Sequence, residues 1–161
     1  MNSGPMLQQG SSGSDVRRVQ RILVMIKLFG WEEIDGIFGP KTKGAVKSFQ
    51  ESKNLVEDGI VGPATWGAMP KDPNTPLVSN GDTGPVVKAL QQGLHTIASG
   101  GSGLDPGPID GIFGPKTEAA VRAYQTDQGV ESDGIVGDRT WWVPAGAAGA
   151  TLASLSGLTT V

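Results

Sequence analysis

The octapeptide DGIFGPKT stands at residues 35–42 and again at 110–117. Each copy places an acid, a cation and a hydroxyl within eight residues. Paired carboxylates are the machinery of glycoside hydrolysis. A lysine beside a helix start is the machinery of anion binding, because the first turn leaves N–H groups free and the helix dipole favours negative charge there. Asp35, Phe38, Lys41 and Thr42, with Asp110, Phe113, Lys116 and Thr117, are therefore candidate ligand contacts. Trp31 and Trp142 join them, since neither has a counterpart in the other copy.

Each of these groups also has a structural explanation. An Asp before Gly accepts local backbone N–H groups in an Asx turn, and glycine supplies positive φ or close approach. This accounts for Asp35, Gly36, Gly39, Gly111 and Gly114, and for the related DGIVG turns at Asp58 and Asp133. For Lys41 and Lys116 the competing reading is a solvated helix face. Gln50 and Gln125 end apolar helical faces and are expected to satisfy loop backbone. Phe49, Tyr124, Trp66 and Trp141 are expected in the cores.

Composition narrows the chemistry. The chain has no cysteine and a single histidine, His95, which excludes thiolate chemistry and makes a zinc site improbable. There is no HExxH, nucleophile elbow or phosphate loop. No enzyme activity, cofactor or metal is expected, and His95 reads as an exposed histidine. Residues 1–69 hold eight Lys and Arg against seven Asp and Glu, and residues 70–161 hold five against nine. Neither half has the basic excess that a phosphate backbone requires, so nucleic acid is not an expected partner. The regional balance favours the first half for a carboxylate-bearing polymer. The N-terminus lacks a basic stretch followed by an apolar run, and no apolar run is long enough to span a bilayer. The reading is a chain made in the cytoplasm without a signal peptide, with no membrane partner.

The elements that hold these residues repeat as well. AVKSFQ (45–50), DGIVG (58–62) and Thr65-Trp66 recur seventy-five residues later as AVRAYQ, DGIVG and Thr140-Trp141. Upstream, Val16, Val19, Leu23 and Ile26 match Val87, Leu90, Leu94 and Ile97 at an offset of 71. Their spacing is that of one helical stripe. The difference in offset lies in an enlarged loop, GGSGLDPGP at 100–108. Helices are expected to start at Ser14 (as a cap) and Pro85, at Pro40 and its equivalent, and near Pro63 and its equivalent. The fold class is all-α: two tandem three-helix bundles with ordered, Gly-rich loops. Residues 1–6 form a flexible start, 7–69 the first repeat, 70–76 a Pro-rich linker, 77–143 the second repeat and 144–161 a small-residue tail. The tail is expected to be flexible or to order only against a partner.

Assembled, the blocks resemble the peptidoglycan-binding domain found beside bacterial cell-wall hydrolases. The pattern G-x-x-V-x-x-L-Q is met at 84–91 by GPVVKALQ and, with Val19 in place of the leucine, at 13–20 by GSDVRRVQ. D-G-x-F-G-P-x-T-x-x-A-V-x-x-F-Q and D-G-I-V-G-x-x-T-W are met in both repeats, with Tyr124 in place of phenylalanine. The resemblance implies a three-helix fold and binding to peptidoglycan, through glycan strand or stem peptide. Three functions stay open on this basis. One is a non-catalytic, bivalent wall-targeting adaptor acting at the cell wall. Another is a structural part of a phage tail or phage-tail-like contractile injection particle. The third is an accessory chain that works with a separate hydrolase.

Overall fold

Glycine precedes the first residue of six helices, and proline is that first residue in four of them. Proline suits the opening of a helix because its φ is preset and the N–H it lacks would have had no partner. The computed structural model describes residues 2–73, 75–101, 103–145 and 150–159. The chain divides into two units, one ending at Pro73 and the other running to Thr159. The fold is all-α.

In unit one, α1 (Ser14–Met25) leads through a 3-10 turn (Trp31–Glu33) to α2 (Pro40–Ser52) and the short α3 (Pro63–Ala68). Unit two repeats the order with α4 (Pro85–Ser99), α5 (Pro115–Gln128) and α6 (Asp138–Trp142), then adds α7 (Leu152–Leu155). Ser14 is the first helical residue rather than the cap. The cap is Gly13, at φ 117°, matched by Gly84 at φ 126°. Each of these glycines donates its N–H to the turn glycine of the octapeptide, Gly13 to the Gly36 carbonyl and Gly84 to that of Gly111, both at 2.9 Å. The positive φ aims that N–H at the loop, and a serine side chain there would be strained.

The helical stripes close on aromatic residues. In unit one Val16, Val19, Ile22 and Leu23 pack with Phe38, Val46, Phe49 and Trp66 in a single cluster. In unit two Val87, Leu90, Leu94, Phe113, Val121, Tyr124 and Trp141 are equally buried. Each tryptophan also anchors the segment that enters its unit. Trp66 Nε1 donates to the Pro5 carbonyl and Trp141 Nε1 to that of Pro76, both at 2.8 Å. Arg18 lies over the Trp66 ring and pairs with Asp15 and Asp72, which ties both ends of unit one to the same ring.

The segment after Pro144 departs from expectation. Residues 146–149 lie outside the described residues. Beyond them, α7 packs against α4 and α6 of its own unit, with Leu152 and Ala153 fully buried. Thr151 and Ser154 close a reciprocal capping box at its start. Part of the contact with α4 is at Gly93, where a Cβ would press on the Ser156 hydroxyl.

Candidate functional site

Gln20, buried on α1, makes its amide the hub of the first octapeptide turn. Its Nε2 donates to Asp35 Oδ1 (3.0 Å), the Ile37 carbonyl (3.1 Å) and Thr42 Oγ1 (3.2 Å), sharing two N–H groups among three oxygens. Its Oε1 accepts from the Asp35 and Gly36 N–H groups at 3.1 and 2.9 Å. Asp35 Oδ1 accepts from the Ile37 N–H as well, closing the Asx turn. Gln91 holds Asp110, Gly111, Ile112 and Thr117 in the same way.

The arrangement occurs four times. Gln50 clasps Asp58, Gly59, Ile60 and Thr65, and Gln125 clasps Asp133, Gly134, Ile135 and Thr140. Gln20 and Gln91 were not singled out in the sequence. The available signal was that each is a polar residue set within an apolar helical stripe and followed, after a loop, by Asp-Gly, with Thr seven residues beyond the Asp, as in the other two clasps.

The clasps settle where the predicted contacts lie. Thr42 and Thr117 are buried in their hydrogen bonds, and Phe38 and Phe113 are only 1% exposed. Trp142 is buried too, its indole N–H lacking a partner among the described residues. These five are committed to the core or to the clasps rather than displayed as their sequence positions proposed. The phenylalanines anchor the turns, the threonines are spent in the clasps, with Thr42 only bordering the groove beside the first turn, and Trp142 packs in α6. Trp31 is half-buried in the 3-10 turn. Asp35 and Asp110 are exposed, yet each carboxylate is held below the usual range, first by the Ile37 or Ile112 N–H and next by the clasping glutamine. Such an acid stays ionised and is a poor proton donor. Among the described residues no group of His, Asp and Glu is placed to hold a metal ion.

A groove of about 360 Å3 lies beside the first turn, with Phe29, Ile37 and Pro40 as its apolar lining and Glu33, Asp35 and Lys41 as its charges. Ile37 is 59% exposed and its counterpart Ile112 56%, while the adjacent phenylalanines are buried. The turn thus turns one apolar residue inward and displays the other. Lys41 Nζ pairs with Glu33 Oε1 at 2.8 Å, and that carboxylate holds the lysine above its usual range. The groove therefore carries two carboxylates and a paired lysine. Its local charge does not follow the slight positive balance of residues 1–69.

In unit two Lys116 aligns with Lys41, and at the same offset of 75 Leu104 and Pro108, inside the enlarged loop, fall at the positions of Phe29 and Glu33. The carboxylate near Lys116 is not a glutamate of the rim but Asp105 of the enlarged loop, held below its usual range first by the Gly107 N–H and to a lesser degree by the lysine's charge. The enlarged loop folds back here: Gly107 lies so close to the Lys116 side chain that a Cβ would come within 2.9 Å of it. The loop is pinned by Asp105, which accepts from the Gly107 N–H at 2.8 Å and faces His95 Nδ1 at 3.2 Å. His95 is thus half-exposed and occupied in a loop contact.

The putative peptidoglycan binding domain family matches residues 12–69 and 83–142, one match in each unit. The chain belongs to this family. The peptidoglycan-binding units are 32% identical, over 86% of the chain, to N-acetylmuramoyl-L-alanine amidase CwlL of Bacillus licheniformis, of which they cover 45%. Against the autolytic lysozyme of Clostridium acetobutylicum they are 35% identical over 84% of the chain and 39% of that protein. Among solved structures, the SleB N-terminal domain is 35% identical over 40% of the chain and 88% of its own length, with a TM-score of 0.38. The chain spans less than half of the amidase and of the lysozyme it matches. No helix among the described residues is long and apolar enough to cross a membrane.

Proposed function

We infer that the chain is a non-catalytic adaptor that binds bacterial cell-wall peptidoglycan through both units and acts at the wall. The observation that carries this is the octapeptide turn. In two family-matched units the same clasp displays the same exposed isoleucine at the start of a long helix. A shallow groove with one apolar wall and a few charges suits a polymer of sugars and short peptides better than it suits catalysis. The acids that glycoside hydrolysis would need are committed to turns, where backbone N–H groups keep them ionised. The similarity to part of an amidase and part of a lysozyme supports a separate wall hydrolase as the effector that such an adaptor accompanies.

The test pairs two assays on the full chain. It is expected to sediment with purified sacculi and to release nothing above buffer from labelled peptidoglycan. Turnover that disappears in Asp35→Asn or Asp110→Asn would contradict the non-catalytic reading. A chain that stays in the supernatant and self-associates would contradict wall binding and favour a packing role in a larger particle.

A further inference from the structure

The two octapeptide turns share their sequence but not their rims. At the mouth of the unit-one groove, the Lys41 and Glu33 side chains are 75% and 41% exposed while paired at 2.8 Å. Both charges are reachable from solvent. A pair so exposed gives up its partner easily, because water stabilises each charge almost as well as the other ion does. Phe29, Ile37 and Pro40 provide an apolar wall beside it. Lys41 is the second residue of α2, so a ligand anion meeting it also meets the helix's unpaired N–H end.

A groove with an apolar wall and one exposed pair of opposite charges complements a ligand of matching form. That ligand has an aliphatic stem and carries an ammonium and a carboxylate on its last carbon. Its ammonium would face Glu33, its carboxylate would face Lys41, and its stem would lie along Phe29 and Ile37. Unit two does not reproduce this device: Pro108 falls where the glutamate stands in unit one, Gly107 closes on Lys116, and the carboxylate near that lysine, Asp105, is already engaged by the Gly107 N–H and His95 Nδ1.

We propose that the unit-one groove selects an amino-acid zwitterion at the end of an aliphatic side chain, as a diamino-acid residue presents it in an uncross-linked stem peptide, and that unit two does not make this selection. The proposal rests on the wall-binding reading and narrows it to one chemical group.

Amide NMR shifts of the full chain, titrated with three small probes, test it. The probes are 2-aminoheptanoic acid, heptanoate and heptylamine, which separate the zwitterion from each of its halves. The zwitterion is expected to move Gly39 and Lys41, but not Gly114 and Lys116, at a concentration at least about fivefold lower than either half. Glu33→Gln, an exposed and near-isosteric change, is expected to erase that preference, and Lys41→Gln to do the same. Equal binding of all three probes, equal shifts in unit two, or an unchanged preference in Glu33→Gln would overturn the proposal. Sedimentation with sacculi, untreated or acetylated on their free amines, keeps the two readings apart. Loss of wild-type binding on acetylation supports the zwitterion. Undiminished binding to acetylated sacculi leaves wall binding standing and overturns the zwitterion. Failure on untreated sacculi overturns both.

Discussion

At the scale of single residues, the glutamine clasp organises the molecule. A buried amide that satisfies five polar atoms cannot be truncated without leaving several of them dry. Gln20→Ala is expected to cost about 3 kcal/mol or more, because each buried group left unpaired costs roughly 1–3 kcal/mol. Urea unfolding of the full chain measures this, and a loss below about 1 kcal/mol would mean that water replaces the side chain. The acids of the clasps give a pH prediction. The folded pKa values of Asp35, Asp58 and Asp110 lie below the ordinary 3.8. The unfolded chain therefore binds more protons at low pH, so the stabilisation is complete above pH ~4 and fades as pH falls through the folded values. The melting temperature is expected to be flat from about pH 7 to 5 and to drop below pH ~4, with a smaller drop in Asp35→Asn. A profile unchanged by that substitution would show that the carboxylate contributes nothing through its charge.

Among the elements, what the sequence made readable was what repeats at helical spacing. The stripe Val16, Val19, Leu23 names the inner face of α1, and proline after glycine names the starts of α2, α3, α4 and α5. The clasps were half visible. Gln50 stands eight residues before Asp58, but Gln20 stands fifteen before Asp35, and a loop of variable length hides a contact that is constant in space. Helix α7 was not readable at all. It has four residues, too few to show a helical period, and it docks through a contact with a glycine, Gly93, that carries no side chain to mark the inner face of α4. Phe38 and Phe113 were misplaced because an aromatic residue in a glycine turn can face either way and only the core decides, and Trp142, the last residue of α6, because lacking a counterpart in unit one says nothing of burial. Burial under α7 also explains the Tyr124 hydroxyl, which desolvation pushes up to about 12. Leu152→Ala is expected to destabilise unit two by about 2–5 kcal/mol and to leave unit one untouched. Hydrogen exchange resolved by unit checks this, and equal loss of protection in both units would show that they do not unfold separately. In unit one, Phe49→Ala is expected to cost about 3–5 kcal/mol, since that ring is 1% exposed.

For the whole molecule the central claim is that two displayed turns hold one polymer together. Two weak sites on one chain gain from effective concentration, typically on the order of 10²–10⁴-fold in affinity. The most direct test is the affinity of the full chain for purified sacculi in four forms: the parent, Ile37→Asp, Ile112→Asp and the double variant. Both isoleucines are more than half exposed, so these changes alter the displayed surface and spare the core. Either single change is expected to remove most of the bivalent gain, and the double change to abolish sedimentation while the helical circular dichroism stays that of the parent. A double variant that is folded and binds as tightly as the parent would show that the wall is held elsewhere on the molecule.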